Sequence, residues 1–120
     1  MSAAGTRFCF RLRVRPEMLD EYISRHSPVA PEMLAEIAAA GRRNYSLFLQ
    51  DDGTLIGYYE TDDDAFATAY LAASQVATKW ENEMSRFFED LEGRPDQVAI
   101  PLTEIFHLAD QLSATTIESE

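Results

Sequence analysis

Hydrophobic and polar residues alternate along the first patterned stretch of the chain. Phe8, Phe10, Leu12 and Val14 are separated by Cys9, Arg11 and Arg13, the period of two that sets one side of a half-buried strand against a core. Pro16 follows at a position that a first helical turn accepts, because its missing N–H has no partner there. From it, Met18, Leu19, Tyr22 and Ile23 recur at spacings of three and four, which predicts a helix from about Pro16 to Arg25 with His26 on the same face. Ser27-Pro28 ends that helix, since the residue before a proline is pushed away from the α region. A second helix, roughly Pro31 to Ala40, buries Met33, Leu34, Ile37 and Ala38 and stops at Gly41.

The pattern then returns to strands. Asn44 to Gln50 and Thr54 to Glu60 flank Asp52-Gly53, a dipeptide suited to the positive φ angles of a tight turn. A two-residue loop pairs Asp51 with Thr54, and it places Tyr45, Leu47, Leu49, Ile56, Tyr58 and Glu60 on one face. Asp62, Asp63 and Asp64 supply carboxylates for a helix N-terminus. The helix after them carries Phe66, Ala69, Tyr70 and Leu71, and a further helix from about Ser74 to Asp90 carries Val76, Trp80, Met84, Phe87 and Phe88. Gly93-Arg94-Pro95-Asp96 reads as a loop, and Leu102, Glu104, Phe106 and Leu108 alternate with Thr103, Ile105 and His107 as a fourth strand.

Strand, helices, strand, strand, helices, strand is the order of a split βαβ, ferredoxin-like α+β sandwich. Four strands with helices on one side leave a bare second face, which pairing of two sheets in a dimeric α/β barrel covers, so a homodimer is expected. The division expected is a flexible start over 1–5, a single domain over 6–110 and an acidic tail over 111–120. A chain of 120 residues fits one core.

Ten basic against twenty-one acidic residues give a net charge of -11, which repels a phosphate backbone and argues against nucleic acid as a partner. Part of that acidity is solvated, at Asp62 to Asp64 and from Ile117 to Glu120. Cys9 is the single cysteine, so no internal disulfide is available and a reducing compartment fits. There is neither an apolar run of roughly 20 residues nor a secretory signal pattern. A soluble, cytoplasmic protein without membrane contact is the expectation.

For chemistry, Tyr22 and His26 stand four apart on a predicted helix, so a phenol and a group titrating near neutrality share one face. Taken alone, a histidine just before Ser-Pro is more often a helix-end residue bonding free carbonyls. Tyr45 and Trp80 combine an apolar ring with a polar handle, as a sugar face requires, although an aromatic at these periods is usually core. Glu104 alternates with Leu102 and Phe106, and a carboxylate on such a face is paired or functional. His107 falls on the opposite face and reads as structural. Arg42 and Arg43 follow a helix C-terminus, where the dipole alone accounts for cations. No phosphate loop, nucleophile elbow or metal-ligand spacing is present, so neither metal nor cofactor is expected.

At these residues the chain resembles the L-rhamnose mutarotase family, from about Arg7 to Leu108. The matching segments are Glu21-Tyr22, Arg25-His26, Pro31-Glu32-Met33, Asn44-Tyr45-Ser46-Leu47-Phe48-Leu49, Lys79-Trp80 and Pro101 through Leu108. The resemblance implies a ferredoxin-like homodimer that interconverts the anomers of a free monosaccharide, L-rhamnose or a related 6-deoxy sugar, by general acid/base ring opening, without metal or cofactor. It implies His26 as proton donor, with Tyr22, Tyr45 and Trp80 binding substrate. Glu81 and Glu104 are added as candidate substrate-binding residues. The family often has a tryptophan where this chain has Ala30, and a second one where it has Glu81. Both exchanges remove aromatic surface near the sugar, and Glu81 adds an acceptor for a hydroxyl. The competing readings are a cofactor-using, monooxygenase-like enzyme on a similar dimeric barrel and a non-catalytic sugar-binding dimer.

Overall fold

The computed structural model describes residues 5–118, and the core begins where the alternation places it, on strand β1 (Thr6–Arg13). The start expected to be flexible over 1–5 lies outside the described residues except for Gly5, as do residues 119–120 of the expected tail. A 3₁₀ turn (Pro16–Met18) leads into α1 (Leu19–Arg25), and α2 (Pro31–Ala40) follows with Pro31 in its first turn. Gly41 closes α2 at φ +92°, the left-handed conformation glycine takes without strain. Next come β2 (Arg43–Leu49) and β3 (Thr54–Thr61), then α3 (Asp64–Ala73) and α4 (Gln75–Met84). Asp63 caps α3 through the Phe66 amide at 3.0 Å, and Ser74 caps α4 through the Ala77 amide at 3.1 Å.

The strands form one antiparallel sheet in the order β2-β3-β1-β4, which is the ferredoxin-like arrangement. Along β1, Phe8, Phe10 and Leu12 pair with Tyr59, Gly57 and Leu55 and so face the helices together. Two clusters fill the space between layers. One joins Val14, Leu55, Tyr22, Met84, Phe87 and Phe88; the other joins Met33, Ala40, Ala67, Leu71 and Ala77 from the helices. Trp80 packs against both.

Several expectations are corrected. The hairpin loop has three residues, with Gln50 and Thr54 bonded across it, so Leu49 pairs with Leu55 instead of Ile56. That one-residue slip turns Leu55, Tyr59 and Thr61 inward and Ile56, Tyr58 and Glu60 outward, while Tyr45, Leu47 and Leu49 keep the inner side. The helix expected through Asp90 ends at Met84 and passes through a 3₁₀ turn (Ser85–Phe87), because Val14 takes Phe88 into a β-bridge. The stretch read as a loop at Gly93 to Asp96 enters a short helix, α5 (Pro95–Val98). On α3 the buried residues are Ala67 and Leu71, whereas Phe66 is exposed.

The largest correction concerns the last strand. β4 is Ile100–Leu102, not Leu102 to Leu108; residues 103–107 leave the sheet, and α6 (Leu108–Glu118) crosses the boundary expected at 110. Arg7 on β1 holds the departing segment by two bonds to Glu104, at 2.8 and 3.0 Å, and one to Asp110 at 2.9 Å. Ile105, Phe106, Leu108 and Leu112 are exposed, as are Phe48, Ile100 and Leu102 around the sheet's outer face.

Gly53 sets the hairpin against β1: its carbonyl accepts from the Val14 amide at 2.7 Å, and its φ is +100°. A Cβ there would lie 2.2 Å from the Val14 carbonyl oxygen. Gly53→Ala is expected to cost about 1–3 kcal/mol, the usual scale of such strain. The check is a lower urea midpoint at unchanged m-value.

Candidate active site

The helix-facing side of β2 is incompletely covered, and the gap between it, α1, α2 and α4 is a cavity of about 590 Å³. An adjoining cavity of about 450 Å³ runs toward β1 and α5. Tyr22, His26, Tyr45, Trp80 and Glu81 border both. These are the residues singled out in the sequence, drawn from α1, β2 and α4. Glu104 is not among them. Its expected inward strand position does not exist, and it is exposed and bonded to Arg7. His107 is also apart from the cavity, with Nδ1 3.4 Å from Asp110.

His26 caps the C-terminus of α1, and its Nδ1 lies 2.8 Å from the Tyr22 carbonyl. A carbonyl only accepts, so the proton of the neutral ring sits on Nδ1 and Nε2 carries the lone pair. The helix-end role and a chemical role are therefore compatible, since the bond that satisfies the helix also fixes the tautomer. Burial lowers the proton affinity of the ring, reinforced by the neighbouring Arg25 and opposed by the Tyr22 bond. The ring is flanked by Tyr22, centroids 4.2 Å apart, and by Trp80 edge-on at 5.4 Å. Arg25 lies over the Trp80 ring at 5.6 Å and pairs with Glu83 at 2.9 Å.

Tyr45 reaches the cavity through a β-bulge. Arg43 pairs with Glu60 but Ser46 with Tyr58, so Asn44 and Tyr45 together oppose Tyr59. Asn44 takes φ +50°, a conformation asparagine tolerates, and donates to Glu60 at 3.0 Å. The Tyr45 ring then rests 5.3 Å from Tyr59 and edge-on to Phe10 at 6.5 Å. Burial raises the phenol pKa of both Tyr22 and Tyr45, keeping them as neutral hydroxyls that can donate or accept.

Glu81 follows Trp80 on α4 and points into the polar end of the cavity. Burial foremost, and the nearby Asp96 carboxylate second, push its pKa up to about 7. Oε1 accepts from the Asp96 amide at 3.1 Å, a bond that with Arg94 and Arg42 partly offsets the rise. Arg94 itself is committed elsewhere: Nε to Asp96 at 2.7 Å, Nη1 to Thr78 at 2.9 Å and Nη2 to the Leu71 carbonyl at 2.9 Å.

Asp96 and Arg42 also line both cavities, and the sequence reading passed over them. Arg42 is not merely a cation at a helix end. Its side chain is 8 % exposed, its guanidinium lies 4.3 Å over the Tyr59 ring, and Nη2 donates to Thr68 at 3.2 Å. Its Nε is buried without a hydrogen-bond partner among the described residues. The arrangement as a whole offers neutral phenols, two aromatic faces and two titratable groups, an imidazole whose proton affinity burial lowers and a carboxyl whose proton affinity burial raises. That set suits a small, hydroxyl-bearing molecule.

A family model described as L-rhamnose mutarotase matches residues 7–108. The L-rhamnose mutarotase of Oceanobacillus iheyensis is 34% identical over 100 residues, covering 82% of this chain and 94% of that protein. The one from Sinorhizobium fredii is 34% identical over 107 residues, covering 86% and 98%. Among solved structures, an L-rhamnose mutarotase from Formosa agariphila superposes with a TM-score of 0.70 at 25% identity, covering 86% of this chain and 98% of that one. A Mycobacterium tuberculosis protein, TM-score 0.52 at 13% identity over 84% of this chain and 95% of its own, shares the fold alone.

The buried carboxyl has a signature in stability. Folded Glu81 binds its proton more tightly than the unfolded residue, so between the ordinary 4.5 and about 7 the folded state holds more protons and stability falls as pH rises. Glu81→Gln removes that loss. Its urea midpoint is expected to gain on the wild type as pH climbs through this window, with no further gain above it.

Proposed function

The chain belongs to the L-rhamnose mutarotase family, and from that premise we propose that it is an isomerase interconverting the α and β anomers of L-rhamnose or a related 6-deoxy sugar. Ring opening needs a proton delivered to the ring oxygen and another taken from the anomeric hydroxyl, and ring closure reverses both. One observation carries the reading for this chain. The Nδ1 of His26 is tied to the Tyr22 carbonyl, and the ring borders a cavity walled by Tyr22, Tyr45 and Trp80. In this reading His26 moves the proton, the aromatic rings take the C–H face of the sugar, and Tyr22, Tyr45 and Glu81 meet its hydroxyls. Glu104 has no part in it within one chain. The family match supports the mutarotase reading over a monooxygenase-like one.

A homodimer belongs to the same proposal. The outer sheet face presents Phe48, Ile100 and Leu102, and the segment after β4 presents Ile105 and Phe106. A second copy of the sheet would cover this surface. No helix among the described residues is long and apolar enough to cross a membrane. With its free Cys9, a reducing, cytoplasmic setting is proposed.

His26→Asn is expected to lower anomer exchange of L-rhamnose roughly 10²- to 10⁴-fold, the usual contribution of a positioned acid or base. Exchange NMR measures it, and a variant exchanging at the wild-type rate ends the case for His26. Sugar affinity should change far less. Light scattering should give twice the 13.5 kDa chain mass, and Phe48→Glu should shift the population toward the single chain; a wild-type monomer at micromolar concentration contradicts the dimer.

A further inference from the structure

Opening a sugar ring takes two proton-transfer groups, and His26 is only one. The second must border the same cavity, keep an atom free for substrate and be in the opposite protonation state. Tyr22 and Tyr45 border it, but burial holds both protons too firmly for exchange near neutrality. Asp96 borders it as well, yet it is held as one half of an ion pair, its Oδ1 accepting from the Arg94 guanidinium at 2.7 Å, whereas the bond to Glu81 comes from a backbone amide. Glu81 remains. Oε1 is held by the Asp96 amide at 3.1 Å, and Oε2 has no hydrogen bond to any described residue. This parallels His26, which is anchored through Nδ1 and has no hydrogen bond from Nε2 to any described residue. Each group is fixed by one atom and presents the other. Trp80, beside the His26 ring, is the residue next to Glu81 on α4, so both groups border the same space.

We propose that Glu81 is the second proton-transfer group of the exchange, giving its proton to the ring oxygen while Nε2 of His26 takes the proton of the anomeric hydroxyl. The assignment rests on the mutarotase reading above and deepens it. In the opening step the bond from the anomeric carbon to the ring oxygen breaks, and its electron pair takes up the Glu81 proton. The anomeric oxygen gives its proton to His26 and forms the carbonyl. Closure on the other carbonyl face returns the imidazolium proton to that oxygen and the ring hydroxyl proton to Glu81. The enzyme regains its starting state, with no oxidant or reductant involved. His26 is thus the donor in closure and Glu81 the donor in opening.

The charged and titratable groups facing Glu81 are Asp96 on α5, Arg94 before it, Arg42 after α2, Tyr22 on α1, His26 just beyond it and Tyr45 on β2. Their balance keeps a share of Glu81 protonated at neutral pH, while burial keeps His26 neutral. That is the pair of states the opening step requires.

Anomer exchange of L-rhamnose, measured by NMR at several sugar concentrations and across pH, tests the assignment. Wild-type kcat should fall on the basic side as a group titrating near 7 loses its proton. Glu81→Gln, which keeps the Oε1 acceptor and the shape, should lower kcat roughly 10²- to 10⁴-fold with little change in KM, and its residual rate should lack the basic limb. A Glu81→Gln protein with wild-type kcat overturns the proposal. So does a loss confined to KM, which would make Glu81 a hydroxyl acceptor only. Wild-type protein that leaves spontaneous exchange unchanged removes the mutarotase reading and this assignment together; active wild type with an unimpaired variant removes this assignment alone.

Discussion

The pleat of the two central strands is the constraint on which the rest depends. Successive side chains must leave β1 and β3 on opposite sides, so Phe8, Phe10, Leu12, Leu55 and Tyr59 go to the helices while Cys9, Arg11, Ile56 and Tyr58 go to the other face. Everything chemical follows from the first side. Tyr59 supports both Tyr45, at 5.3 Å, and the Arg42 guanidinium, at 4.3 Å. Gly57 leaves room for the Phe10 ring, which a Cβ would meet at 2.1 Å, and Phe10 in turn edges Tyr45. The proposed dimer rests on the second side, where Phe48, Ile100 and Leu102 lie open.

Where the chain states its own boundaries, the sequence was readable. Pro31 and Gly41 bracket α2, and Asp63 and Ser74 cap the helices they precede, because caps and breakers act within a few residues of themselves. The hairpin register was not readable from Asp52-Gly53, since that dipeptide serves a two-residue loop and a three-residue loop equally well, and one residue more reverses the face of β3. The alternation from Leu102 to Leu108 misled for a related reason. Period two shows that a segment can be a strand, but pairing also needs a neighbour, and Arg7 draws Glu104 and Asp110 off the sheet edge.

The site divides along the same line. Tyr22 and His26 meet because four residues make one helical turn, a spacing visible in the sequence. Arg42 and Asp96 join them through tertiary packing, which local pattern does not encode. Arg42 in particular satisfies every rule for a cation at a helix end and still folds back over β3. Its burial is repaid by the Tyr59 face and by bonds to Thr68 and Asp64 that lie more than twenty residues on.

The carboxylates at the polar end show why proximity to cations does not settle protonation. Two arginines stand near Glu81 and Asp96, yet Arg94 spends its donors on Asp96, Thr78 and the Leu71 carbonyl, and Arg42 faces Tyr59. Asp96 thereby gets the charge-assisted bond and Glu81 only a backbone amide. A buried carboxylate with one neutral donor and a like charge beside it lowers its energy by keeping a proton. The same reasoning applies in reverse to His26, which burial favours as the neutral ring. Low polarity at the cavity wall therefore pushes an acid and a base toward each other's proton affinity. In the proposed cycle the two exchange roles, Glu81 giving a proton in opening and His26 in closure.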